Sequence, residues 1–235
     1  MKAGIIAAGH GERLRAAGIA IPKPLISIAG RPLIARAIDA ARAAGATSVA
    51  CIVNAETDRV RRFLAESDLG LPIEVVQRTT ASSAESFLAL RPYLESEPFL
   101  LLTVDAVVAP VAIAALVARA AELPEAAGVL GVTTLVDDEK PLWAELEADR
   151  RIRSLGDATR ARHVTAGVYF LDPLVYSLAN VGSGRGFPAL RALLASLLER
   201  GHPLYGFDVG PSIDVDRPKD LAAAERMLAV SSATR

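Results

Sequence analysis

Short, continuously apolar runs alternate with amphipathic segments through the first half of the chain. The apolar runs have the length and β-branched content of strands buried on both faces of a sheet, and the segments between them repeat apolar residues at helical spacing. The pattern predicts strands at residues 3–8, 48–54, 72–77 and 99–104. It predicts helices at residues 32–44, 56–66, 82–90 and 110–121. Pro32 and Gly45 bound the first helix in the usual order, with proline at the start and glycine at the end.

From residue 128 onward, β-type runs follow one another with no helical signal between them. These runs are residues 128–136, 142–148, 152–155 and 165–171. A helix at 188–200, a strand at 204–209 and a helix from about Pro218 complete the pattern. Single helices between the early strands indicate right-handed crossovers and helices on both faces of a sheet. We therefore predict an α/β fold, Rossmann-like and doubly wound, with a mostly parallel mixed sheet in one domain over residues 1–235.

The most apolar stretch, residues 99–118, is long enough to cross a bilayer. Asp105 near its middle would cost about 2.5–3.5 kcal/mol on insertion, and Pro110 divides the stretch. We expect a strand, a turn and a helix here, and no membrane partner.

Composition and charge exclude several classes of protein. Of the 235 residues, 51% are hydrophobic, which suffices for a packed core. With 26 Lys and Arg against 27 Asp and Glu, the chain lacks the basic excess of proteins that neutralise nucleic-acid phosphates, so we expect no nucleic-acid partner. Cys51, the single cysteine, lies in an apolar run and is expected to be a buried hydrophobic side chain. Glycine and charge interrupt the first apolar residues too early for a signal peptide, which favours a cytoplasmic location.

The segment AAGHGERLRAAGIAIPKPL, residues 7–25, follows the first predicted strand at the edge of the sheet where ligands bind. Backbone N–H groups around Gly9 and Gly11 can form an anion-binding concavity, and Arg13 and Lys23 add positive charge. The alternative is a structural turn with solvated arginines. Two prolines hold Lys23 in what we expect to be an extended segment, which favours a phosphate site.

Two better-known phosphate loops do not fit this segment. A dinucleotide-binding fingerprint needs a third glycine at the start of a helix, whereas Leu14 stands there and the pattern predicts no helix before Pro32. A P-loop needs Gly-Lys followed by Ser or Thr, which the segment lacks.

IIAAGHGERL followed by PKPLISIAGRPLI resembles the signature of the sugar-1-phosphate nucleotidyltransferases. Further segments, FLLLTVD, TAGVYFLDP and SIDVDRPKDLAAAERML, resemble later parts of the same family in the same order. The chain is most similar to short single-domain members, such as N-acetylmuramate-1-phosphate uridylyltransferases and mannose-1-phosphate guanylyltransferases. The resemblance implies an enzyme that joins an NTP to a sugar-1-phosphate and releases pyrophosphate. Residues 1–125 would be its NTP-binding half and residues 126–235 its sugar-phosphate half.

The resemblance also implies roles for individual residues. Arg13 would hold the departing β and γ phosphates, and Lys23 would neutralise the α-phosphate in the transition state. Asp105 and Asp214 would bind Mg²⁺. Substrate contacts are implied for Ala8, Gly9, His10, Gly11, Gln77, Ser82 and Gly167.

Three of the acidic and polar residues near the site have structural alternatives. Asp105 could cap the helix near Pro110, and Gln77 could be a solvated side chain. Asp216 precedes Arg217 and Pro218, and its position predicts the N-cap of the last helix.

The chain departs from the family pattern at several points. Val104 replaces the usual glycine before the metal-binding aspartate, and Ser82 and Ser83 stand near the usual glycine pair of the base-reading segment. The region that usually supplies a lysine to the sugar phosphate has Arg160, Arg162 and His163 instead. A cytidylyltransferase acting on an alcohol phosphate such as phosphocholine, and a non-catalytic nucleotide-sugar-binding module, therefore stay open. The oligomeric expectation is a monomer or a homodimer.

Overall fold

The computed structural model describes residues 1–56, 58–135, 141–156, 159–179 and 187–233. The strands are β1 (Lys2–Ala7), β2 (Ser27–Ile28), β3 (Arg31–Pro32), β4 (Ser48–Val53), β5 (Ile73–Gln77), β6 (Phe99–Thr103), β7 (Ala106–Val108), β8 (Gly128–Thr133), β9 (Trp143–Leu146), β10 (Ile152–Leu155), β11 (His163–Leu171), β12 (Leu204–Asp208) and β13 (Ser212–Asp214). The α-helices are α1 (Glu12–Ala16), α2 (Leu33–Ala43), α3 (Asp58–Glu66), α4 (Ser83–Ala89), α5 (Arg91–Leu94), α6 (Pro110–Ala121), α7 (Leu174–Ala179), α8 (Leu190–Glu199) and α9 (Pro218–Ala233).

A nine-stranded mixed sheet runs through the molecule. Strands β5, β4, β1 and β6 are neighbours in that order and pair in parallel. Strand β11 joins β6 in the antiparallel direction, and it carries β9 and β10 as well as β8 and β12. The sheet confirms the predicted α/β fold, because its first half is parallel and its second half supplies the antiparallel strands.

Helices cover both faces of the sheet and give two apolar cores. Helices α2, α3 and α6 bury side chains on one face, and α4, α5, α7 and α8 bury them on the other. The second core contains stacked aromatic rings: the ring centroids of Phe87 and Tyr176 lie 4.5 Å apart with their planes at 7°, and both rings stack on Phe99. The spacing of apolar residues predicted α2, α3, α4, α6 and α8, but not the short helices α5 and α7.

Proline and glycine set the ends of several helices as predicted. Pro32 is the N-cap of α2, and Gly45 adopts φ +90° just beyond the helix end. Helix α6 begins at Pro110, so residues 99–118 form a strand, a turn and a helix as expected. Within the described parts of the chain, no helix has the length and apolar character needed to cross a membrane. The cytoplasmic location stays a prediction.

Short elements were missed from the sequence. Helix α1 begins directly after Gly11, so the prediction that no helix precedes Pro32 was wrong. Strands β7 and β13 pair with each other although about a hundred residues separate them. Helix α1 is little more than one helical turn long, and β7 and β13 contain three residues each. These lengths are too short for the period of a helix or a strand to show in the sequence. Residue 136, at the end of one predicted strand, lies outside the described residues.

Cys51 lies on β4, between β1 and β5, with no exposed surface, and burial raises the pKa of its thiol to about 12. We expect native protein at about pH 8 to resist labelling by a thiol reagent, because the thiol is both inaccessible and protonated. Denaturant should make the thiol react fully, and the native labelling rate should follow the rate of unfolding. Labelling is measured by the absorbance of the group that the reagent releases. Fast labelling without denaturant would contradict the packing of this core.

Candidate functional site

The glycine bend between β1 and α1 is shaped by two constraints at Gly11. This residue is the N-cap of α1 with φ 62° and ψ 38°, in the left-handed region that favours glycine. A Cβ at this position would lie 3.1 Å from Cβ of Lys23. Gly11 therefore allows the bend to turn and also to pack directly against the segment that carries the lysine.

Lys23 opens a single 3₁₀ turn, Lys23–Leu25, so the expectation of an extended segment was wrong at this residue. Pro22 before it is extended, and its carbonyl accepts the turn's first hydrogen bond from the N–H of Leu25 at 2.8 Å. The turn directs the lysine inward, and only 7% of its side chain is exposed.

The ammonium group of Lys23 lies between two carboxylates. Its Nζ is 2.7 Å from Asp105 Oδ2 and 2.5 Å from Asp216 Oδ1. Burial lowers the pKa of Lys23, but the two carboxylates outweigh burial and raise the pKa above its ordinary value. The lysine is therefore a fixed positive charge at any physiological pH.

Asp105 lies in the turn between β6 and β7. Burial raises the pKa of its carboxyl, but the charge and hydrogen bond of Lys23, with help from Thr103, hold it below the ordinary value. The N-cap of α6 is Ala109, so Asp105 does not cap this helix and the structural alternative is excluded.

Asp214 reaches the same place through the β7–β13 pair. It lies opposite Ala106 in the antiparallel register, and the N–H of Val215 donates to the carbonyl of Asp105 at 3.1 Å. The pairing brings the two predicted metal ligands to one edge of the sheet.

Asp216 has a different role from the predicted N-cap. Its carboxylate binds Lys23 and also Arg13, whose NH1 lies 2.9 Å from Oδ2. The carboxylate of Asp220, in the first turn of α9, accepts hydrogen bonds from the N–H groups of Asp216 and Arg217 instead. The N-cap prediction was wrong because α9 begins at Pro218, so that Arg217 is the residue directly before the helix, and the Asp216 side chain binds the two cations.

A cavity of about 280 Å³ opens beside these groups, close to the lower end of the range of about 300–1,000 Å³ typical of small-molecule sites. Its charged lining residues are Arg13, Asp105, Arg191, Asp214 and Asp216.

Gly167 also lines this cavity, from a bulge in β11 where its φ is +67°. A Cβ here would overlap the hydroxyl of Thr103 and lie 2.7 Å from Cβ of Ala106, so only glycine fits. The cavity therefore brings together Arg13, Asp105, Asp214 and Gly167, as the sequence analysis expected, and Lys23 contacts two of its acids.

Gly9 and His10 line a neighbouring cavity of about 220 Å³, which Lys23 also lines from the other side. Asn54, which is 5% exposed, fixes this region. Its Nδ2 donates to the carbonyl of Ala8 at 3.1 Å and lies 3.3 Å from Nδ1 of His10.

The side-chain oxygen of Asn54 holds two more segments. It accepts hydrogen bonds from the N–H of Glu56 at 2.8 Å and from the hydroxyl of Thr79 at 3.2 Å. One buried amide thereby ties the glycine bend to the turn after β4 and to the segment after β5.

Four predicted substrate contacts do not line either cavity: Ala8, Gly11, Gln77 and Ser82. Gln77 ends β5 beside Val53 and is exposed. Ser82 is the N-cap of α4, and its hydroxyl accepts a hydrogen bond from the N–H of Glu85. The same hydroxyl donates to the carbonyl of Phe187 at 3.2 Å. Their substrate roles, like those of the other predicted site residues, stay predictions.

Sequence reasoning missed Asn54, Asp216 and Arg191. The position of Asn54 directly after an apolar strand at the ligand-binding edge was a usable signal. Asp216 and Arg191 gave none, because each lies beside a predicted helix start, where polar residues are ordinary.

Replacing Asn54 with Asp tests this link. The variant exchanges the amide donor for a carboxylate oxygen that faces the carbonyl of Ala8, so a buried hydrogen bond becomes a repulsion. We expect the free energy of unfolding to fall by about 1–3 kcal/mol in urea denaturation. The matched control is Thr79→Val, which removes an exposed donor to the same asparagine and should cost less than about 0.5 kcal/mol. An equal fall in the free energy of unfolding in the two variants would show that the hydrogen bond to Ala8 contributes no more to stability than the one from Thr79.

Curated proteins with similar sequences include mannose-1-phosphate guanylyltransferases. Mannose-1-phosphate guanyltransferase of Candida albicans is 26% identical over 94% of the chain, and the match covers 62% of that relative. A probable mannose-1-phosphate guanylyltransferase of Oryza sativa subsp. japonica is 34% identical over 46% of the chain. The chain thus spans about three fifths of the length of the Candida albicans relative.

Solved structures give the same fold along nearly the whole chain. The inositol-1-phosphate CTP transferase from T. maritima superposes with a TM-score of 0.81 and 26% identity, covering 96% of this chain and 94% of that one. A UDP-glucose pyrophosphorylase complexed with UDP-glucose, at 16% identity and a TM-score of 0.78, supports the fold alone. The family model of the MobA-like NTP transferase domain matches residues 3–174. The resemblance seen in the sequence is thereby confirmed, and the chain belongs to the MobA-like NTP transferase domain family.

Proposed function

We propose that the protein transfers a nucleotidyl group from an NTP to a sugar-1-phosphate, giving an NDP-sugar and pyrophosphate. The observation that carries this proposal is the convergence of Arg13, Lys23, Asp105 and Asp216 in one bonded cluster beside a cavity that Asp214 also lines. Membership in an NTP transferase family and the names of the relatives support the same reaction.

The reaction needs position and charge more than a covalent nucleophile. A phosphate oxygen of the acceptor attacks the α-phosphorus of the NTP, a new P–O bond forms, and the bond from the α-phosphorus to the bridging oxygen breaks, with its electron pair leaving on pyrophosphate. Lys23, held rigidly by its carboxylates, stabilises the negative charge that develops at the α-phosphate. Arg13, with its planar fork, holds the departing phosphates.

The acidic residues fit Mg²⁺ by the chemistry of their donors. Asp105, Asp214 and Asp216 offer the hard carboxylate oxygens that Mg²⁺ prefers. Within the described residues, no three His, Cys, Asp or Glu side chains converge closely enough to hold a metal by themselves. Mg²⁺ commonly takes only one or two carboxylates and fills its other positions with substrate phosphates and water, so the donor set suffices. Bound there, the ion would screen the repulsion between the two substrates' phosphates.

A second acceptor class has support of its own. The inositol-1-phosphate CTP transferase matches this chain over nearly the full length of both proteins, whereas the Candida albicans guanyltransferase extends well beyond the match. A cytidylyltransferase that acts on an alcohol phosphate is therefore the second candidate function.

A grid of substrates separates these candidates. The four common NTPs and dTTP are each combined with mannose 1-phosphate, glucose 1-phosphate, inositol 1-phosphate and phosphocholine in the presence of Mg²⁺, and pyrophosphate release is measured. We expect turnover with one base and one acceptor class. Nucleotide binding without pyrophosphate release from any pair would leave a non-catalytic binding module and overturn the proposal.

Lys23→Ala and Asp105→Asn test the mechanism. Each removes a charge from the cluster, so we expect kcat to fall at least about 100-fold with the best substrate pair. Matched controls are Lys2→Ala, at a lysine whose Nζ contacts only Ser96 among the described residues, and Asp68→Asn, at an exposed surface turn. Resistance of Cys51 to labelling shows that each variant is folded. Near-normal turnover in either folded cluster variant would remove the mechanism.

A further inference from the structure

We propose that Arg191, on the first turn of α8, binds the phosphate of the acceptor and so restricts the acceptor to phosphomonoesters. The inference rests on the proposed function and adds to it the residue that recognises the second substrate.

The acceptor's side of the cavity needs a cation. Asp105, Asp214 and Asp216 all line the cavity, and a phosphomonoester carries negative charge of its own. Lys23 is bonded to two of these carboxylates and Arg13 to one, so both cations are placed at the acidic cluster. The three carboxylates outnumber these two cations, so the side chains of the cluster by themselves repel a phosphate, and a further positive side chain would add to the attraction of a bound Mg²⁺.

Arg191 supplies that charge from the opposite element. It lines the same cavity, together with its neighbour Leu190 and with Ser83 of α4. The guanidinium is a planar group with several N–H donors in a fixed fork, which suits the oxygens of a phosphate.

The backbone that carries Arg191 is fixed by a hydrogen bond between helices. The N–H of Leu190 donates to the hydroxyl of Ser83 at 2.9 Å, and Ala189 enters the helix in an extended conformation. The start of α8 is therefore docked on α4, so the guanidinium extends from a defined position on the cavity wall.

Tyr169 shows that Arg191 and the acids act on the same space. Burial raises the pKa of its phenol to about 12, a hydrogen bond from Thr165 opposes the rise, Asp214 and Asp105 add to it, and Arg191 lowers it. Tyr169 also lines the cavity, together with Thr165 and Gly167. Arg191, Asp105 and Asp214 therefore all line the cavity close enough to Tyr169 for their charges to act on its phenol.

The cations that the sequence offered for this task lie elsewhere. Arg160, Arg162 and His163 are the cations that the sequence analysis considered for the acceptor phosphate, but none of them lines the cavity. Arg160 and Arg162 are exposed, and His163 pairs with Ala144 on β9. Among the described residues, Arg191 is the cation that lines this cavity apart from Arg13.

The test compares Arg191→Gln and Arg191→Lys with the matched control Arg162→Gln. For the best substrate pair, we expect Arg191→Gln to lower kcat/KM for the acceptor about 10- to 100-fold while KM for the NTP changes less than about twofold. Arg191→Lys should restore part of the loss because it keeps the charge without the fork. Arg162→Gln should behave like the wild type.

Several results would overturn the inference. One is an unchanged acceptor kcat/KM in Arg191→Gln, and another is an NTP KM that rises in parallel, as a merely structural defect would produce. A loss in Arg162→Gln matching that in Arg191→Gln would also contradict it.

Direct binding separates this inference from the proposed reaction. Mannose 1-phosphate, inositol 1-phosphate and unphosphorylated mannose are titrated into the wild type and Arg191→Gln by calorimetry. We expect a phosphorylated ligand to bind the wild type at least about tenfold more tightly than the variant. Unphosphorylated mannose should show no difference in affinity between the two proteins. This outcome supports the phosphate site even if no pair of substrates releases pyrophosphate. Failure of both phosphate esters to bind the wild type would overturn the site itself.

Discussion

The ammonium group of Lys23, buried between the carboxylates of Asp105 and Asp216, is the contact on which the candidate site depends. Three segments that are distant in the chain meet at this one atom. Lys23 is only 7% exposed, so removing either carboxylate would leave its charge less compensated, and removing the lysine would leave two carboxylates facing each other. The cluster therefore holds the turn of Lys23, the turn after β6 and the segment before α9 in one arrangement.

This arrangement also fixes where charge lies along the crevice. Arg13 and Lys23 pair with Asp105 and Asp216 at the cluster, and Arg191 lines the same cavity as Arg13 and these acids. Phosphates of two substrates repel each other, so an enzyme that joins them needs cations on both sides and carboxylates that can hold a divalent ion between them. In the proposed reaction, this arrangement of charge would give each phosphate a separate place.

The β7–β13 pair connects the fold to this chemistry. Its two strands contain three residues each, and they add little to the apolar core compared with the central sheet. Their antiparallel register nevertheless sets Asp214 opposite Ala106, one residue from Asp105. Asn54 has a similar function on the other side of Lys23, where it ties the glycine bend to two neighbouring loops. Small elements and single polar side chains thus determine the geometry of the site, while the large elements determine where the site is.

The sequence by itself determined the sheet, the crossover helices and the location of the site. Apolar runs, prolines and glycines act through neighbours in the chain, so β1, β4, β6, α2 and α6 could be recognised from local pattern. Arg13, Lys23, Asp105 and Asp214 could be named because their motifs are contiguous in the sequence. Only the tertiary structure decided that Asp216 binds cations instead of capping α9, and that Arg191 faces the cavity instead of Arg160 or Arg162. Those outcomes depend on which distant segment packs against a given polar side chain. No local pattern records a contact between residues a hundred or more positions apart.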